Sequence, residues 1–470
     1  MAAIGFAALT PHSAPAQVQV DRAAIGYTAL QNLLGSSMPT GAGLSATMGE
    51  ALVPGYRLDV ADAAFSGKTI VFPSGLPETI SYHAVYVGKY FFGSTHSLAP
   101  DIGRTADGQD IANYSADNWI DSGFLNMMSG SLPSVESRDI MNHSWVGTTG
   151  DSAADTDILR RYDYAIARDD FVAVSSVNNR STTTIPNLLS SSYNGIIAGR
   201  SDGNHSRGTT PVDGAGRIKP DIVAPMSFTS YSAPIIAGAS GLLLETARTA
   251  QGLDNGDHSV VVKSIMLAGA DREGSHVPFS WSHTSTSPMD SVYGAGQLNV
   301  YDNHLILTGG EFDADDDADA GSTGWDFGTG SAATEQLYFF DTSVPGAFSA
   351  ALTWNRDITY ELNGGLYEFT SSLANLDLRL YSAEGFVPGN AVWESMSTVD
   401  NVELIYQSSL SAGRYALGVT SNMTNVAYGL AWHSIPEPAA AATLALGFFA
   451  LWARRRLPER APHKRPSVPS

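Results

Sequence analysis

The feature that most constrains the fold is the junction at residues 217–244, which read RIKPDIVAPMSFTSYSAPIIAGASGLLL. Residues 222–224 form a short apolar run that Pro225 ends, which is typical of a buried strand. From Pro234 onward, the small residues predict a helix that packs closely against a sheet. The hydroxyl-rich stretch therefore falls at a strand-to-helix junction, where first-turn N–H groups are unpaired and favour negative charge. A serine there is either a nucleophile or an ordinary N-cap residue.

The chain divides into an α/β region and an all-β region. From about residue 20 to 305, apolar runs alternate with helical patterns and glycine-rich loops, which predicts an α/β domain with a mainly parallel sheet. Residues 311–324, EFDADDDADAGSTG, are acidic and glycine-rich, which indicates a linker. Short alternating segments follow and predict an antiparallel β-sandwich. The predicted boundaries are 17–305 for the α/β domain, 306–329 for the linker and 330–433 for the sandwich.

Individual elements follow from the same patterns. In the α/β domain they predict helices at 23–34 and 155–168 and strands at 43–52, 171–177 and 193–199. In the sandwich they predict strands at 348–354, 376–382, 402–408, 413–419 and 428–433.

Composition excludes several classes of protein. A chain of 470 residues is too long for a single core, so two or three domains are expected. The formal net charge of −21 argues against nucleic-acid binding. There are no cysteines, which excludes disulfides, thiolate zinc sites and a cysteine nucleophile.

SYSAP after KPDIVAP resembles the nucleophile motif of the subtilisin-like serine peptidases, GTS-[MY]-[AS]-[AS]-P. The resemblance covers roughly residues 23 to 305 and implies a subtilisin-like doubly wound α/β fold with a mainly parallel sheet. It places the nucleophile at Ser230, with Ser227 and Ser232 as the other serines in reach. Phe228 replaces the glycine that the family has before its threonine.

Two upstream segments resemble the other triad segments of the family. ISYHAVYVGKYFFG (80–93) resembles HGTHVAGIIAG and places the base at His83, which a serine hydroxyl needs before it can attack. GAGLSATMGEA (41–51) aligns with the first-strand pattern, and its aspartate position holds Glu50. A glutamate can still accept the imidazole N–H, as in some α/β-hydrolase triads. Asp59 and Asp62 are the alternatives for this third position.

The same resemblance assigns the oxyanion hole and the substrate strand. FVAVSSVNN resembles VVVAAAGN and places the oxyanion-hole asparagine at Asn178, with Asn179 next to it. NHSWVG resembles the strand that binds substrate by main-chain hydrogen bonds, and so predicts polypeptide as the substrate. The predicted substrate-binding residues are Ser144, Trp145, Val146 and Gly147.

Taken together, the resemblance implies a serine endopeptidase with a Ser230, His83 and Glu50 triad and Asn178 as the oxyanion donor. The alternative is an inactive surface binding or structural protein on the same scaffold. Three departures from the family pattern favour that alternative: Phe228, Glu50 and the histidine motif, which matches only in part. The stretch between Ala16 and the first strand also favours it, because it is too short for the folded pro-domain that the family usually has.

Both ends of the chain have the features of targeting signals. An apolar stretch and Ala14-Pro15-Ala16 predict a signal peptide at 1–16, although no basic residue precedes it. At the other end, Pro436-Glu437-Pro438, an apolar stretch at 439–453 and three arginines resemble the PEP-CTERM sorting signal of Gram-negative bacteria. This resemblance, over residues 434–470, implies an exosortase-type sorting enzyme as partner. It also implies transient membrane association through 439–453 and export to the cell envelope or the extracellular surface.

Two further segments concern the sandwich and metals. LANLDLRLYSAEG, DNVELIY and LSAGRYALGV resemble the pre-peptidase C-terminal domain, which is found behind secreted peptidases. Asp313, Asp315, Asp317 and Asp319 alternate as in an EF-hand loop, but Ala318 stands at the glycine position and no glutamate closes the loop. The run therefore predicts a solvated linker rather than a Ca²⁺ site, and the predicted reaction needs no cofactor.

Overall fold

The computed structural model describes residues 19–75 and 77–436, together with the backbone of Gly5–Ala7. Its helices are α1 (Tyr27–Leu34), α2 (Tyr82–Phe91), α3 (Ala116–Asn118), α4 (Ser152–Asp169), α5 (Thr229–Thr249), α6 (Ser259–Ala268) and α7 (Val300–Gly309). Its strands up to the end of the α/β region are β1 (Gly5–Ala7), β2 (Ala46–Glu50), β3 (Ile70–Val71), β4 (Ile111–Ser115), β5 (Ile140–His143), β6 (Val146–Thr148), β7 (Val172–Ser176), β8 (Ile196–Arg200), β9 (Gly208–Thr209), β10 (Ile218–Lys219) and β11 (Ile222–Ala224). The later strands are β12 (Thr323–Gly330), β13 (Gln336–Thr342), β14 (Gly346–Trp354), β15 (Asp357–Asn363), β16 (Leu366–Ser372), β17 (Leu376–Glu384), β18 (Val387–Ser395), β19 (Val402–Leu410), β20 (Gly413–Ser421) and β21 (Val426–Pro436).

A seven-stranded sheet forms the centre of the α/β region, with the strand order β11-β8-β7-β5-β2-β4-β3. All of its strand pairs are parallel. Both of its faces are covered: Val172 and Val174 belong to the core on the α5 side, whereas Ala173 between them belongs to the core on the α4 side. The strands are therefore apolar on both faces, as a parallel sheet between two helical layers requires. The predicted α/β class with a mainly parallel sheet is confirmed.

Helix α5 lies against the middle of this sheet, where it contacts β5, β7 and β8 as well as α2. Its first two-thirds is buried, including the glycines and alanines of the small-residue run. A Cβ atom on Gly241 would lie 3.1 Å from Ile102 and 3.3 Å from Ile140, so the close approach depends on the missing side chain. The small residues of this helix thus set how closely α5 packs on the strands.

The all-β region is a sandwich of two four-stranded antiparallel sheets, ordered β12-β21-β14-β19 and β13-β20-β17-β18. Large apolar side chains from both sheets meet between them, including Trp354, Leu378 and Trp432. This confirms the predicted C-terminal sandwich. Its first strand begins at Thr323, within the segment that the sequence analysis assigned to the linker, and α7 extends the α/β region to Gly309.

The two regions are in direct contact along α6. Strands β14 and β21 pack on this helix, and the Thr353 hydroxyl donates to the carbonyl of Val260 at 2.7 Å. A Cβ on Gly429 would lie 2.4 Å from the same carbonyl oxygen, so the strand can approach the helix only with glycine there. A second contact between the two regions is made by the Trp325 indole, which donates to the carbonyl of Leu307 at 2.8 Å.

Within residues 19–75 and 77–436, no helix is long and apolar enough to cross a membrane. The predicted sorting tail at 434–470 lies almost wholly outside the described residues, as does its apolar stretch at 439–453. Most of the predicted signal peptide at 1–16 lies outside them too.

Candidate active site

The residues singled out in the sequence meet at the carboxyl edge of the parallel sheet. Glu50 is the last residue of β2, and Ser144 directly follows β5. Asn178 and Asn179 follow β7, and Ser230 lies six residues beyond the end of strand β11. Since parallel strands all end at the same edge, this is where an open α/β sheet forms its sites.

A carboxylate and an imidazole form the central contact of this edge. Oε2 of Glu50 lies 2.7 Å from Nδ1 of His83, which is on the first turn of α2. Glu50 is 1% exposed and the side chain of His83 is 10% exposed, so the contact is shielded from water. A carboxylate in this position fixes the ring orientation and the tautomer with hydrogen on Nδ1.

The alternative carboxylates are engaged elsewhere. Asp62 accepts the N–H of Ala64 and lies 2.6 Å from the ammonium of Lys89. Asp59 accepts the N–H of Ala61 on an exposed turn. The imidazole is therefore paired with Glu50 and with neither aspartate.

Ser230 is the second residue of α5, and its hydroxyl is buried. Neither its Oγ nor Nε2 of His83 has a hydrogen-bond partner in the described part of the chain, so the serine–histidine bond of a closed triad is not made in this structure. The two residues are nonetheless on neighbouring helix starts, because α2 packs on α5 and the ring of Tyr231 stacks 6.5 Å from that of His83. Catalytic hydrogen bonds are often long in unliganded enzymes and tighten only with substrate.

The neighbouring serines differ in their contacts. The hydroxyl of Ser232 donates to the carbonyl of Phe228 at 3.3 Å, as a helix residue often does. Ser227 precedes the helix, and its Oγ has no partner among the residues that the structure describes. Ser227 is therefore the competing nucleophile that an experiment must separate from Ser230.

Phe228 occupies the position of the family's glycine without backbone strain. Its φ of −141° and ψ of 147° are extended, so a side chain is tolerated there. Its ring meets that of Tyr231 edge-on at 5.3 Å, and Tyr231 in turn contacts Tyr86 and Tyr90. Phe228 thus adds an aromatic contact next to Ser230.

Tyr231 is the centre of this aromatic group and was not singled out in the sequence. Burial raises its pKa, and the nearby Tyr90, Tyr86 and Glu50 raise it further. Tyr231 therefore stays a neutral phenol and adds no charge of its own beside the Glu50–His83 pair.

The side chain of Asn179 contacts the start of α5, where Thr229 is the first residue. Oδ1 of Asn179 accepts the N–H of Thr229 at 2.7 Å and its hydroxyl at 3.1 Å. The NH₂ group of the same amide is the donor end of this side chain, whose oxygen is bound to the residue before Ser230. Asn178 is bound through its backbone, since its N–H donates to the Ser206 hydroxyl and its carbonyl accepts the N–H of Ser206. The prediction at Asn178 stays a prediction, and the contacts favour its neighbour.

The first two of the predicted substrate-binding residues have buried side chains, so a substrate would meet the backbone of this segment. Ser144 and Trp145 are buried, with the Ser144 hydroxyl accepting from Asn142 and the Trp145 indole donating to Nδ1 of His143 at 3.1 Å. Strand β6, which contains Val146 and Gly147, pairs along its edge with β1 in antiparallel register, with Phe6 opposite Gly147. Residues 5–7 of the same chain therefore occupy this edge as an extended segment paired through the main chain.

His143 pairs with Gly49, the residue before Glu50, across the β2–β5 ladder, and was not predicted. A Cβ on Gly49 would lie 2.3 Å from its Nδ1, so the glycine before Glu50 makes room for the imidazole. Burial lowers the pKa of His143 to about 3, so the ring is neutral at neutral pH. The only sequence signal for this arrangement is the glycine at the end of β2.

The described residues contain no group of three or more metal-ligating side chains placed to hold a metal ion. In the acidic run, Asp319 pairs with Arg414, and the carboxylate of Asp315 accepts the N–H of Asp317.

Comparison with known proteins gives similarity to solved structures alone. No protein-family model matches the chain, and no curated protein does. Fervidolysin from Fervidobacterium pennivorans, a keratinolytic enzyme related to subtilisin, is similar at 13% identity and a TM-score of 0.38, over 88% of this chain and 76% of that chain. Tripeptidyl peptidase 2 is similar at 13% identity and a TM-score of 0.30, over 75% of this chain and 40% of that chain. The pre-peptidase C-terminal domain of a Bacillus anthracis collagenase is similar at 13% identity and a TM-score of 0.17, over 24% of this chain and 90% of that domain.

Proposed function

We propose that the protein is a serine endopeptidase in which Ser230 is the nucleophile, His83 the base and Glu50 the carboxylate that orients the base. The observation that carries the proposal is the 2.7 Å contact between Glu50 Oε2 and His83 Nδ1, with Nε2 left for the serine that begins the neighbouring helix. A buried carboxylate–imidazole pair beside a serine at a helix N-terminus is the arrangement that acyl transfer requires.

The reaction follows from these positions. Ser230 Oγ adds to the scissile carbonyl while His83 Nε2 takes its proton, and the charge that forms on the carbonyl oxygen is stabilised by two donors. These are the N–H of Ser230, in the first helical turn, and the amide NH₂ of Asn179. His83 then gives the proton to the leaving amine, and a water activated by the same imidazole hydrolyses the acyl-enzyme.

A polypeptide is the substrate that this site fits. In the structure, β1 of the same chain pairs with the edge of β6 as an antiparallel extended segment, and a substrate would pair there in place of residues 5–7. Such pairing recognises the main chain and leaves side-chain preference to the surrounding surface.

One observation favours the alternative, an inactive scaffold that binds other proteins. Ser230 is 1% exposed and Glu50 is equally enclosed, so a substrate reaches the hydroxyl only if the surrounding chain moves. The two functions differ in whether the serine is activated.

Labelling by a fluorophosphonate separates them, because this probe reacts with an activated serine whatever the substrate preference. We expect the native full-length protein to be labelled at Ser230 with a stoichiometry near one and the heat-denatured protein to remain unlabelled. Absence of labelling in the native protein, alongside a labelled active serine hydrolase, would establish the inactive scaffold.

The oxyanion donor can be assigned by a pair of substitutions. Asn179→Ala is expected to lower kcat by about 10²–10³ with little change in KM, because its NH₂ group is needed only when the carbonyl becomes an oxyanion. Asn178→Ala is the matched control and should stay within about 3-fold of the wild type, since its contacts to Ser206 are made by the backbone. Steady-state kinetics on one peptide decide the assignment, and the opposite pattern would return it to Asn178.

We also propose that the protein is exported and that a sorting enzyme processes its C-terminal tail. The support is the order Pro-Glu-Pro, apolar stretch and triple arginine at residues 436–456. The intact mass of the exported protein tests this: cleavage near Pro436-Glu437-Pro438 is expected, and a mature protein that still carries Arg454 would contradict it.

A further inference from the structure

The segment that connects β7 to β8 lies directly against the candidate site. The N–H of Leu188 donates to the carbonyl of Gly147, in the middle of β6, at 3.1 Å. The hydroxyl of Ser190 donates to the carbonyl of Ser176, the last residue of β7, at 2.7 Å. Asn179 follows Ser176 by three residues. This segment therefore touches both the substrate edge and the strand that carries the oxyanion donor.

A few residues further along, the same segment is held by the sandwich. The N–H of Arg356, between β14 and β15, donates to the side-chain oxygen of Asn194 at 2.9 Å. The amide of Asn401 donates to the carbonyl of Tyr193 at 3.0 Å. The guanidinium of Arg356 also lies 4.4 Å above the ring of Tyr193. The all-β region thus binds the segment through both main-chain and side-chain groups.

A buried carboxylate on α4 completes the arrangement. Asp163 accepts the hydroxyl of Ser192 at 2.6 Å and the N–H groups of Tyr193 and Asn194 at 3.2 and 3.1 Å. It also accepts Nε of Arg356 at 2.8 Å. Asp163 is fully buried, and a buried carboxylate without a cation beside it is strongly unfavourable.

The cation that neutralises Asp163 is supplied by the sandwich. The side chain of Arg356 is 3% exposed, and its terminal nitrogen also contacts Asp213. The fork of a guanidinium can bridge two carboxylates, whereas a lysine ammonium acts as a point charge. Docked Arg356 therefore supports the turn at Tyr193–Asn194 together with Lys263 of α6, whose ammonium donates to the carbonyls of Tyr193 and Gly195 at 2.9 Å.

We infer that Arg356 and Asn401 are positioning residues for the peptidase site, acting through residues 188–194 on the Gly147 edge. The inference rests on the proposed function and adds a role for the sandwich. The sandwich fixes residues 188–194, which contact the substrate-binding edge of β6, and it need not bind substrate itself.

This placement predicts a particular kinetic signature. The edge of β6 binds the peptide equally in the ground state and in the transition state, so loosening it raises KM and leaves kcat little changed. A fluorophosphonate needs the serine, the imidazole and the oxyanion donors but not the edge. Its rate of reaction should therefore be insensitive to the same change.

The test compares Arg356→Lys and Asn401→Ala with Arg414→Lys in the full-length protein. Arg414 is a matched control because its ion pairs, to Asp319 and Asp341, lie away from the α/β region. For a peptide with several residues before the scissile bond, we expect both test variants to raise KM about 10-fold, with kcat and the labelling rate within about 3-fold of the wild type. Arg414→Lys should match the wild type in all three measurements.

Hydrogen exchange gives a second readout that does not depend on activity. In Arg356→Lys and Asn401→Ala, the amides of residues 188–194 and 146–148 should exchange at least about 10-fold faster than in the wild type, while α2 and α5 keep their protection. Asn401→Ala leaves the ion pair between Arg356 and Asp163 in place, so it keeps the test valid if Arg356→Lys does not fold. Unchanged exchange at 146–148 together with an unchanged KM would overturn the inference. A wild type that neither labels nor hydrolyses peptides would instead overturn the proposed function, and the exchange measurement would still decide the positioning role.

Discussion

Ser230→Ala is expected to abolish peptide hydrolysis, with a loss of about 10⁶ in kcat, because removal of the nucleophile of a serine triad has an effect of this size. The fold should be retained, since the hydroxyl has no hydrogen-bond partner in the described residues and its removal leaves an alanine in the first turn of α5. Steady-state kinetics and fluorophosphonate labelling measure the loss, and a thermal unfolding curve checks that the protein remains folded.

Two neighbouring serines provide the controls for this experiment. Ser232→Ala removes a hydroxyl that donates to the Phe228 carbonyl, and Ser227→Ala removes the competing unpartnered hydroxyl. Both variants should keep their labelling and their turnover. If Ser227→Ala is inactive and Ser230→Ala is not, the nucleophile is Ser227, which precedes α5, and the oxyanion donors must be assigned again.

Glu50→Gln is expected to lower kcat by about 10⁴ with KM nearly unchanged, because an amide can donate to the imidazole and favour the wrong tautomer. Glu50→Asp keeps the charge but shortens the reach by one methylene from a strand that places Oε2 at 2.7 Å. Its turnover should therefore fall between those of the wild type and Glu50→Gln.

Asp62→Asn is the matched control for Glu50, since it removes a nearby carboxylate that contacts Lys89 instead of His83. It should leave kcat within about 3-fold of the wild type. Near-wild-type turnover of Glu50→Gln would show that the imidazole works without this carboxylate, either as a dyad with the serine or with another acid.

The fold was largely predictable because its signals are local. Alternating helical and apolar runs predicted the α/β region, and every strand predicted for the sandwich lies within an observed strand. The pairing of Glu50 with His83 was implied by the resemblance of their two segments to the triad segments of the subtilisin-like peptidases, with Asp59 and Asp62 as alternatives, and the structure shows the contact with Glu50. Strands β15 and β16 were missed although DITYELN alternates between polar and apolar residues; they form a separate two-stranded sheet whose side chains are largely exposed.

The assignments that needed the structure depend on how the chain runs between its helices and strands and on which distant residues meet. The choice between Asn178 and Asn179 turns on how the chain leaves β7, and two adjacent asparagines give the same sequence pattern. The contact of Arg356 with Asp163 joins residues 193 positions apart, and no periodicity links them. In the sequence, His143 is indistinguishable from any other polar residue near a strand. The structure shows that its imidazole fills the space that a side chain on Gly49 would take.

One apolar core extends from the α/β region into the sandwich. Trp325, Ala351, Leu404 and Ala431 belong to the same buried cluster as the residues of α5 and α6. The chain should therefore unfold as a single cooperative unit, with one calorimetric transition and no stable half-folded species. Cutting it near Gly309 would expose the apolar face of α6 and yield an aggregating fragment rather than an independent catalytic domain.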